Sequence, residues 1–329
     1  MKKLLWIFAG ALLFSNLFIS TGCGDDTTDP VNELAPIISI TAGPTPDALV
    51  GSGNVTVTVE AIKGTKALKS LTVYQGTTKV AIDDLTIDGS AAAANPVLLV
   101  NPSDQMEWDI VIKVGDTPGT VSYTIEVADE GGKTDEVSFD VKVETPIDAT
   151  ITGATIQLWN QGGPAGRGGI DLEDGSSTGT RLSNSGNPDV DQSYLRAEMR
   201  DMGIDSLAGS GDNWRRRVAG INGTEVRFVG NANTTPDILD FSKIASKESI
   251  KAAYDAAAAL KAASTYTGAG TGNISVWGNF KVSEKVNQGD IFAVYKSTGN
   301  VYYLVKVESI TETTTLMDNE DNYRVSIKY

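Results

Sequence analysis

The chain has 329 residues, of which 40% are hydrophobic and 21% are charged, and this composition is typical of a folded globular protein with room for two domains. Its 42 acidic residues outnumber 27 basic ones and give a formal net charge of −15, which argues against nucleic acid as a partner. The chain has no histidine and one cysteine, so histidine-based triads, histidine metal sites and internal disulfides are excluded.

Lys2 and Lys3 follow Met1 and precede an apolar run over residues 4–19, and this pattern predicts a signal peptide over residues 1–22. The run is short for a membrane-spanning helix, which needs about 20 apolar residues. The small residues 20–22 precede Cys23, and these four positions resemble the lipobox of bacterial lipoproteins, although Ser20 stands where Leu is usual. The resemblance implies that Cys23 is acylated and tethers the protein to a membrane. The alternative is an ordinary signal peptide that contains a cysteine.

The segment behind the cysteine is polar and acidic. Residues 23–35 are therefore predicted to be the acylated cysteine and a flexible tether. Acidic residues at this place resemble the signal that directs Bacteroidota lipoproteins to the outer face of the outer membrane. That resemblance implies a lipid-anchored, surface-exposed protein of the outer membrane, and the periplasmic face is the alternative.

Residues 36–144 are predicted to form an antiparallel β-sandwich. Apolar and polar residues alternate, as they do in half-buried strands, along Val55–Val59, Trp108–Val114, Val121–Val127 and Val137–Val143. The last two runs are joined by residues 129–133, a glycine-containing hairpin loop. The segment over residues 122–144 resembles the closing strands of bacterial immunoglobulin-like or cadherin-like modules. This resemblance implies a spacer with a tryptophan, Trp108, in its core.

Residues 145–329 are predicted to form a β-rich domain with one packed helix, so the whole chain is expected to be mostly β. Ser246 suits a helix cap, and apolar side chains at three- and four-residue spacing predict a helix over residues 247–263. The expected strands cover 154–158, 225–229, 273–277, 291–296, 301–310 and 323–328. The segments 169–175, 222–231 and 289–310 resemble uncharacterised C-terminal domains of Bacteroidota lipoproteins, and the resemblance implies no catalytic residues.

Exposed aromatic rings and one basic cluster are the candidate ligand contacts of this second domain. Flat rings on a rigid sheet are typical of sugar-binding surfaces, and two arginines on one strand face suit an anionic glycan. The candidate residues are Trp159, Trp214, Arg215, Arg217, Trp277 and Tyr302. The alternatives are core packing for the aromatic residues and surface salt bridges for the arginines.

Calcium is the candidate cofactor, because hard cations are bound by clustered oxygen ligands on loops. Two acidic segments offer such ligands, and neither matches the twelve-residue calcium loop. The candidate ligands are Asp171, Asp174, Asn187, Asp189 and Asp191. Alternating acids are also typical of the exposed face of a strand.

The sequence therefore predicts a lipid-anchored cell-envelope protein with a non-enzymatic binding or adhesion role. Its expected partners are the membrane, through Cys23, and a glycan or another surface protein. One alternative is a structural envelope component without a ligand site. The other is a carboxylate-dependent glycan hydrolase, which requires two acids that face each other in a cleft about 5 to 10 Å apart.

Overall fold

The structure is a computed structural model, and it describes residues 33–45, 47–51, 53–160, 167–180, 193–205, 213–235, 239–266, 280–313 and 320–329. Within these ranges the protein is mostly β, with several sheets and one α-helix, which confirms the predicted fold class. Cys23, residues 24–32 and the expected strand over 273–277 lie outside the described residues. No helix in the described part of the chain is long and apolar enough to cross a membrane.

The first eleven strands form two sheets. Their bounds are β1 (Ile37–Ala42), β2 (Asp47–Leu49), β3 (Asn54–Ile62), β4 (Leu68–Gln75), β5 (Thr78–Lys79), β6 (Leu85–Ile87), β7 (Ser90–Ala91), β8 (Val97–Leu98), β9 (Gln105–Lys113), β10 (Gly119–Asp129) and β11 (Thr134–Glu144). Sheet 1 has the order β1-β3-β9-β6-β7, and sheet 2 has the order β2-β11-β10-β4-β5, with β8 beside β4. A short 3₁₀ helix, Ile82–Asp84, leads into β6.

The alternation seen in the sequence places the core between these two sheets. In β3 and β9 every second side chain is buried, and Trp108 packs among aliphatic residues as expected. The sandwich differs from the predicted antiparallel one because β2 pairs with β11 in parallel. The chain turns between β1 and β2 at Gly43, whose φ is +79° and where a Cβ would lie 2.7 Å from the carbonyl oxygen of Thr56.

The remaining strands form two further sheets. Their bounds are β12 (Thr150–Ile151), β13 (Gln157–Trp159), β14 (Gly169–Ile170), β15 (Ser177–Thr178), β16 (Met199–Asp201), β17 (Val218–Gly220), β18 (Thr224–Asn231), β19 (Ala258–Ala259), β20 (Lys261–Ala262), β21 (Lys281–Val282), β22 (Asp290–Lys296), β23 (Val301–Thr311) and β24 (Asn322–Lys328). Sheet 3 has the order β12-β24-β23-β22-β18-β19, with β13 beside β24, and sheet 4 has the order β15-β14-β16-β17-β21-β20. The 3₁₀ helices are Ser193–Arg196, Phe241–Lys243 and Ala263–Thr265.

The two faces of sheet 3 have different neighbours. Tyr303 and Phe292 are buried in the core that sheet 3 shares with residues of sheet 4. The alternate positions Ala293 and Leu304 pack beneath helix α1, Lys247–Ala256. This alternation follows from the period of two along a strand.

Helix α1 begins where the sequence predicts and ends earlier. Ser246 is the N-cap, and its side-chain oxygen accepts a hydrogen bond from the backbone N–H of Ser249. The helix ends at Ala256, seven residues before the predicted end at 263, because Ala257 is extended and the next residues join sheets. Strand β19 pairs with β18, and β20 pairs with β21. These tertiary pairings override the helix propensity of an alanine-rich segment.

The junction between the first two sheets and the later ones is fixed to the start of helix α1. The backbone N–H of Thr145 donates to a Glu248 carboxylate oxygen at 2.8 Å, and the N–H of Lys247 donates to the carbonyl of Thr145. The buried hydroxyl of Ser246 donates to the Glu144 carboxylate. The junction is thus held by hydrogen bonds on both sides.

Candidate functional site

A pocket lies where the chain crosses from sheet 3 to sheet 4. Leu260 separates β19, which belongs to sheet 3, from β20, which belongs to sheet 4. The pocket has a volume of about 180 Å³, and its apolar lining includes Phe228, Leu260, Val282 and Phe292. The lining therefore includes residues of both sheets, and Leu260 and Phe292 also belong to the core that the two sheets share.

Strand pairing positions the aromatic lining. Phe228 and Phe292 are directly opposite each other in β18 and β22, and their ring centroids are 5.6 Å apart. Tyr266 follows the last 3₁₀ helix and is fixed by its hydroxyl, which donates to the carbonyl of Val282 at 3.0 Å. The guanidinium of Arg217 lies 4.0 Å from the centroid of the Tyr266 ring. The pocket therefore has three aromatic rings held in place by strands and by one cation–π contact.

Charged side chains at the rim neutralise one another. Lys261 lies 2.6 Å from Glu284, and Arg217 lies 3.6 Å from the same carboxylate. The hydrogen bond from Lys261 lowers the pKa of Glu284 below its ordinary value. Lys285 lies 3.6 Å from Glu312. Each rim cation thus has an acidic partner.

Asp290 is a buried carboxylate in the lining. It begins β22 and is 4% exposed. One carboxylate oxygen accepts a hydrogen bond from the side-chain amide of Asn231 at 2.6 Å, and the other accepts from the backbone N–H of Asn287 at 2.7 Å. Burial raises the pKa of Asp290 above its ordinary value despite these two bonds.

The structure corrects the predicted role of Trp214 and Arg215. Trp214 is 3% exposed, its indole N–H donates to Asp201 at 3.0 Å, and its ring packs 4.6 Å from that of Tyr323. Its ring is therefore part of the core and not an exposed platform. Arg215 is also buried and donates to the carbonyl of Met202.

Arg215 and Arg217 do not form the predicted pair on one strand face. Strand β17 begins only at Val218, and Arg216 has a φ of +50°, so the backbone through the three arginines is not extended. Arg217 does not line the pocket, but it contacts two residues that do: Tyr266, through the cation–π contact, and Ser283, through a hydrogen bond to its carbonyl at 2.7 Å.

The other predicted aromatic residues lie elsewhere. Tyr302 is half-buried on the helix face of sheet 3, where its ring stacks 4.7 Å from that of Tyr295 and lies 5.3 Å from that of Tyr254. Trp159 is half-buried in β13, opposite Asn322 of β24. Trp277 lies outside the described residues. The structure does not bring the described members of the predicted set together into one surface.

The two described candidate calcium ligands are engaged with an arginine. A guanidinium nitrogen of Arg196 lies 3.4 Å from Asp171 and 3.5 Å from Asp174. Asn187, Asp189 and Asp191 lie outside the described residues. In the described ranges, no group of three or more acidic, histidine or cysteine residues is arranged to hold a metal ion. Calcium binding stays a prediction.

Two acids do converge in this half of the chain, on a lysine. The ammonium of Lys296 lies 2.8 Å from Glu173 and 2.8 Å from Glu198, and the hydroxyl of Tyr303 donates to Glu173 at 3.2 Å. The bond from Lys296 lowers the pKa of Glu173, while burial raises that of Glu198. This network connects β22 and β23 of sheet 3 to residues that flank β14 and β16 of sheet 4.

Sequence reasoning missed the residues that define the pocket. Phe228 and Phe292 fall within predicted strands, but their pairing across β18 and β22 depends on contacts more than 60 positions apart in the chain. Asp290 immediately follows Gly289 at the predicted hairpin, which gives it the signature of a turn residue. No local signal distinguishes a turn aspartate from a buried pocket aspartate.

No protein-family model matches the sequence, and a search of curated proteins finds no match. Among solved structures, the chain is similar to a DUF4466 family protein from Parabacteroides merdae, at 10% identity over 89% of this chain and 97% of that chain, with a TM-score of 0.34. It is similar to a conjugative transposon lipoprotein from Bacteroides eggerthii, at 18% identity over 32% of this chain and 95% of that chain, with a TM-score of 0.24.

A third similarity is to domains 4 and 5 of the S-layer protein SbsC, at 17% identity over 34% of this chain, with a TM-score of 0.22. This match spans 53% of that chain, or about half of its length. Adhesins and a family 123 glycoside hydrolase also occur among the neighbours. All these TM-scores are low, so the similarities define neither a family nor a site for this chain.

Proposed function

We propose that this protein is a lipid-anchored component of the bacterial cell envelope that binds a ligand without transforming it, and that the ligand is a glycan. The observation that carries the proposal is the pocket at the crossing between sheets 3 and 4, which combines an aromatic and apolar lining with a polar rim. Concave sites of this composition are typical of small-molecule recognition. We place the anchor at Cys23, on the strength of the lipobox resemblance.

The size and lining of the pocket suit one ring of a larger ligand. Its volume of about 180 Å³ is close to the roughly 150 Å³ of an apolar cavity that holds a benzene molecule. A sugar ring has an apolar C–H face, which fits against Phe228 and Phe292, and hydroxyl groups, which fit the exposed polar side chain of Asn287. A glycan with one residue inserted and the rest outside matches this arrangement.

The pocket is tested by filling it from its exposed edge. Ala259 lines the pocket and is exposed, so Ala259→Trp places a large side chain at the pocket without disturbing a buried position. Ala262→Trp is the matched control, because Ala262 is an exposed alanine of the neighbouring strand β20 and does not line the pocket. Residues 24–329 of the parent and both variants are applied to a glycan array with and without added calcium.

The expected result is saturable binding by the parent and by Ala262→Trp, with loss of binding by Ala259→Trp. Retention of binding in Ala259→Trp would place the site elsewhere on the molecule. A blank array with a folded parent would refute the glycan ligand and favour a surface-protein partner or a structural role. The comparison with and without calcium tests the predicted cofactor in the same experiment.

The anchor is tested separately by Cys23→Ala in the full chain. We expect the variant to lose acylation and to move from the membrane fraction to the soluble fraction after detergent-free lysis, because one cysteine carries the acyl chains. Unchanged membrane association of the variant would contradict the lipoprotein assignment and would leave the pocket unaffected.

A further inference from the structure

We infer that the group bound in the pocket carries a positive charge, an ammonium such as that of an amino sugar, and that Asp290 is its counter-ion. The inference deepens the proposed function and rests on it. It depends on three observations on this site: a buried carboxylate that lacks an ion-pair partner, rim cations that are already paired, and aromatic rings in the same lining.

The first observation is the state of Asp290. Its two carboxylate oxygens accept hydrogen bonds from an amide side chain and a backbone N–H, and among the described residues no lysine or arginine forms an ion pair with it. Arg216 acts on it only through space. Burial of a charge without a charged partner is costly, so buried acids are normally paired. A ligand ammonium would provide the missing partner.

The hydrogen bonds explain the shape of the turn but not the charge. Asp290 ties the turn that runs from Asn287, since its carboxylate accepts from the N–H of that residue. An asparagine would accept the turn-forming bond from the Asn287 N–H with its side-chain oxygen without burying a charge, whereas its NH2 group would stand where the second carboxylate oxygen accepts the bond from Asn231. A carboxylate at a 4% exposed position of a pocket wall therefore has an electrostatic consequence that turn formation does not require.

The second observation is that the neighbouring cations are not available to Asp290. Lys261 lies 2.6 Å from Glu284, and Lys285 lies 3.6 Å from Glu312, which Arg216 also contacts at 2.6 Å. Among the described residues, neither lysine forms an ion pair with Asp290. The whole chain has a formal net charge of −15, which also favours the approach of a cation.

The third observation is the aromatic lining. Phe228, Phe292 and Tyr266 all line the pocket that Asp290 lines. The faces of aromatic rings attract cations, and aromatic cages recognise ammonium ligands. A neutral sugar would use the rings but would leave the carboxylate charge uncompensated, whereas an anionic sugar would be repelled by it.

The experiment compares matched neutral and cationic probes by ligand-observed NMR titration of residues 24–329. The sugar probes are D-glucosamine, D-glucose and N-acetyl-D-glucosamine, and the other pair is benzylamine and benzyl alcohol. The titrations are made at about pH 6, where amines are protonated. Asp290→Asn removes the charge, and Ala259→Trp blocks the pocket.

We expect each amine to bind the parent at least about tenfold more tightly than its neutral counterpart, as a charge-assisted hydrogen bond predicts. We expect Asp290→Asn to abolish that preference and Ala259→Trp to abolish binding of all probes. Equal binding of glucosamine, glucose and N-acetylglucosamine by the parent would overturn the inference while sustaining glycan binding. This comparison needs no variant and holds even if Asp290→Asn fails to fold.

Two other outcomes separate the inference from the proposed function. Binding of benzylamine but of neither benzyl alcohol nor any sugar would sustain the ammonium site and refute the glycan ligand. Absence of binding by every probe to the folded parent would refute both.

Discussion

Replacing Lys296 with methionine should strongly destabilise the half of the chain that holds the pocket. The lysine ammonium lies 2.8 Å from Glu198, whose side chain is 2% exposed, and 2.8 Å from the half-exposed Glu173. Removal of one partner from a buried ion pair costs about 3–5 kcal/mol, because a charge is left buried without compensation. Lys296 itself is about a quarter exposed, so we expect the lower end, about 3 kcal/mol, with little added by Glu173.

The assay is urea denaturation followed by circular dichroism, and the chain offers a matched control. Lys306 lies on the neighbouring strand, is 27% exposed, and pairs at 3.0 Å with Glu308, which is also 27% exposed. Lys306→Met should cost less than about 1 kcal/mol, as partly solvated pairs do. If Lys296→Met and Lys306→Met lowered the free energy of unfolding equally, the buried position of Glu198 would not determine the cost.

The pH dependence of the same variant supplies an independent check. Burial raises the pKa of Glu198 even with Lys296 present, and loss of the lysine should raise it further. A carboxyl group whose pKa is higher in the folded state than in the unfolded state destabilises the fold when it is ionised, and this penalty disappears as pH falls. The stability gap between the parent and Lys296→Met should therefore narrow between about pH 7 and pH 5. A gap that widened on acidification would contradict this explanation.

Two further predictions concern buried hydrogen bonds. Ser246→Ala removes the cap of helix α1 and the hydrogen bond to Glu144, so it should lower the free energy of unfolding by about 2 kcal/mol. The control is Ser264→Ala at an exposed position, which should change the free energy of unfolding by less than about 0.5 kcal/mol. Equal losses for the two variants in the same urea titration would refute the capping role. Trp214→Phe removes the hydrogen bond from the indole N–H to Asp201 and should lower the free energy of unfolding by about 1–2 kcal/mol without changing ligand affinity. A loss of ligand affinity in a folded Trp214→Phe variant would show that Trp214 takes part in binding.

Strand content was predictable where one face of a strand is buried and the other is exposed. Val55, Val57 and Val59 alternate with polar residues, which indicates a strand with one buried face, and the structure has strand β3 at these positions. The start of helix α1 was also predictable from a local signal, because the N-cap serine Ser246 lies next to the first helical residue. The end of the helix was not, because Ala258 and Ala259 are extended only through pairing with β18.

The basic cluster shows how a local signal misleads when the backbone path is not known. The interpretation that Arg215 and Arg217 share a face required an extended backbone, and the left-handed conformation of Arg216 breaks that requirement. Trp214 then turns inward, and its indole finds an acceptor in Asp201, which is thirteen positions earlier in the chain. A tryptophan next to charges is expected at a surface, but a buried acid makes the interior equally suitable for its N–H group.

The pocket could not be predicted from the sequence, because the segments that line it meet only through pairing between strands that are distant in the chain. Its lining comes from β18, from the crossing at Leu260, from the segment that ends at Tyr266 and from residues 282–292. None of these segments carries a binding motif, and they meet only because the chain leaves sheet 3 after Ala259 and enters sheet 4 at Lys261. Had the helix continued to residue 263, as alanine propensity favours, that crossing would be absent and Phe228 would lose a strand neighbour. The early end of helix α1 therefore creates the site, and in our proposal the buried carboxylate of Asp290 gives that site its preference for a cationic ligand.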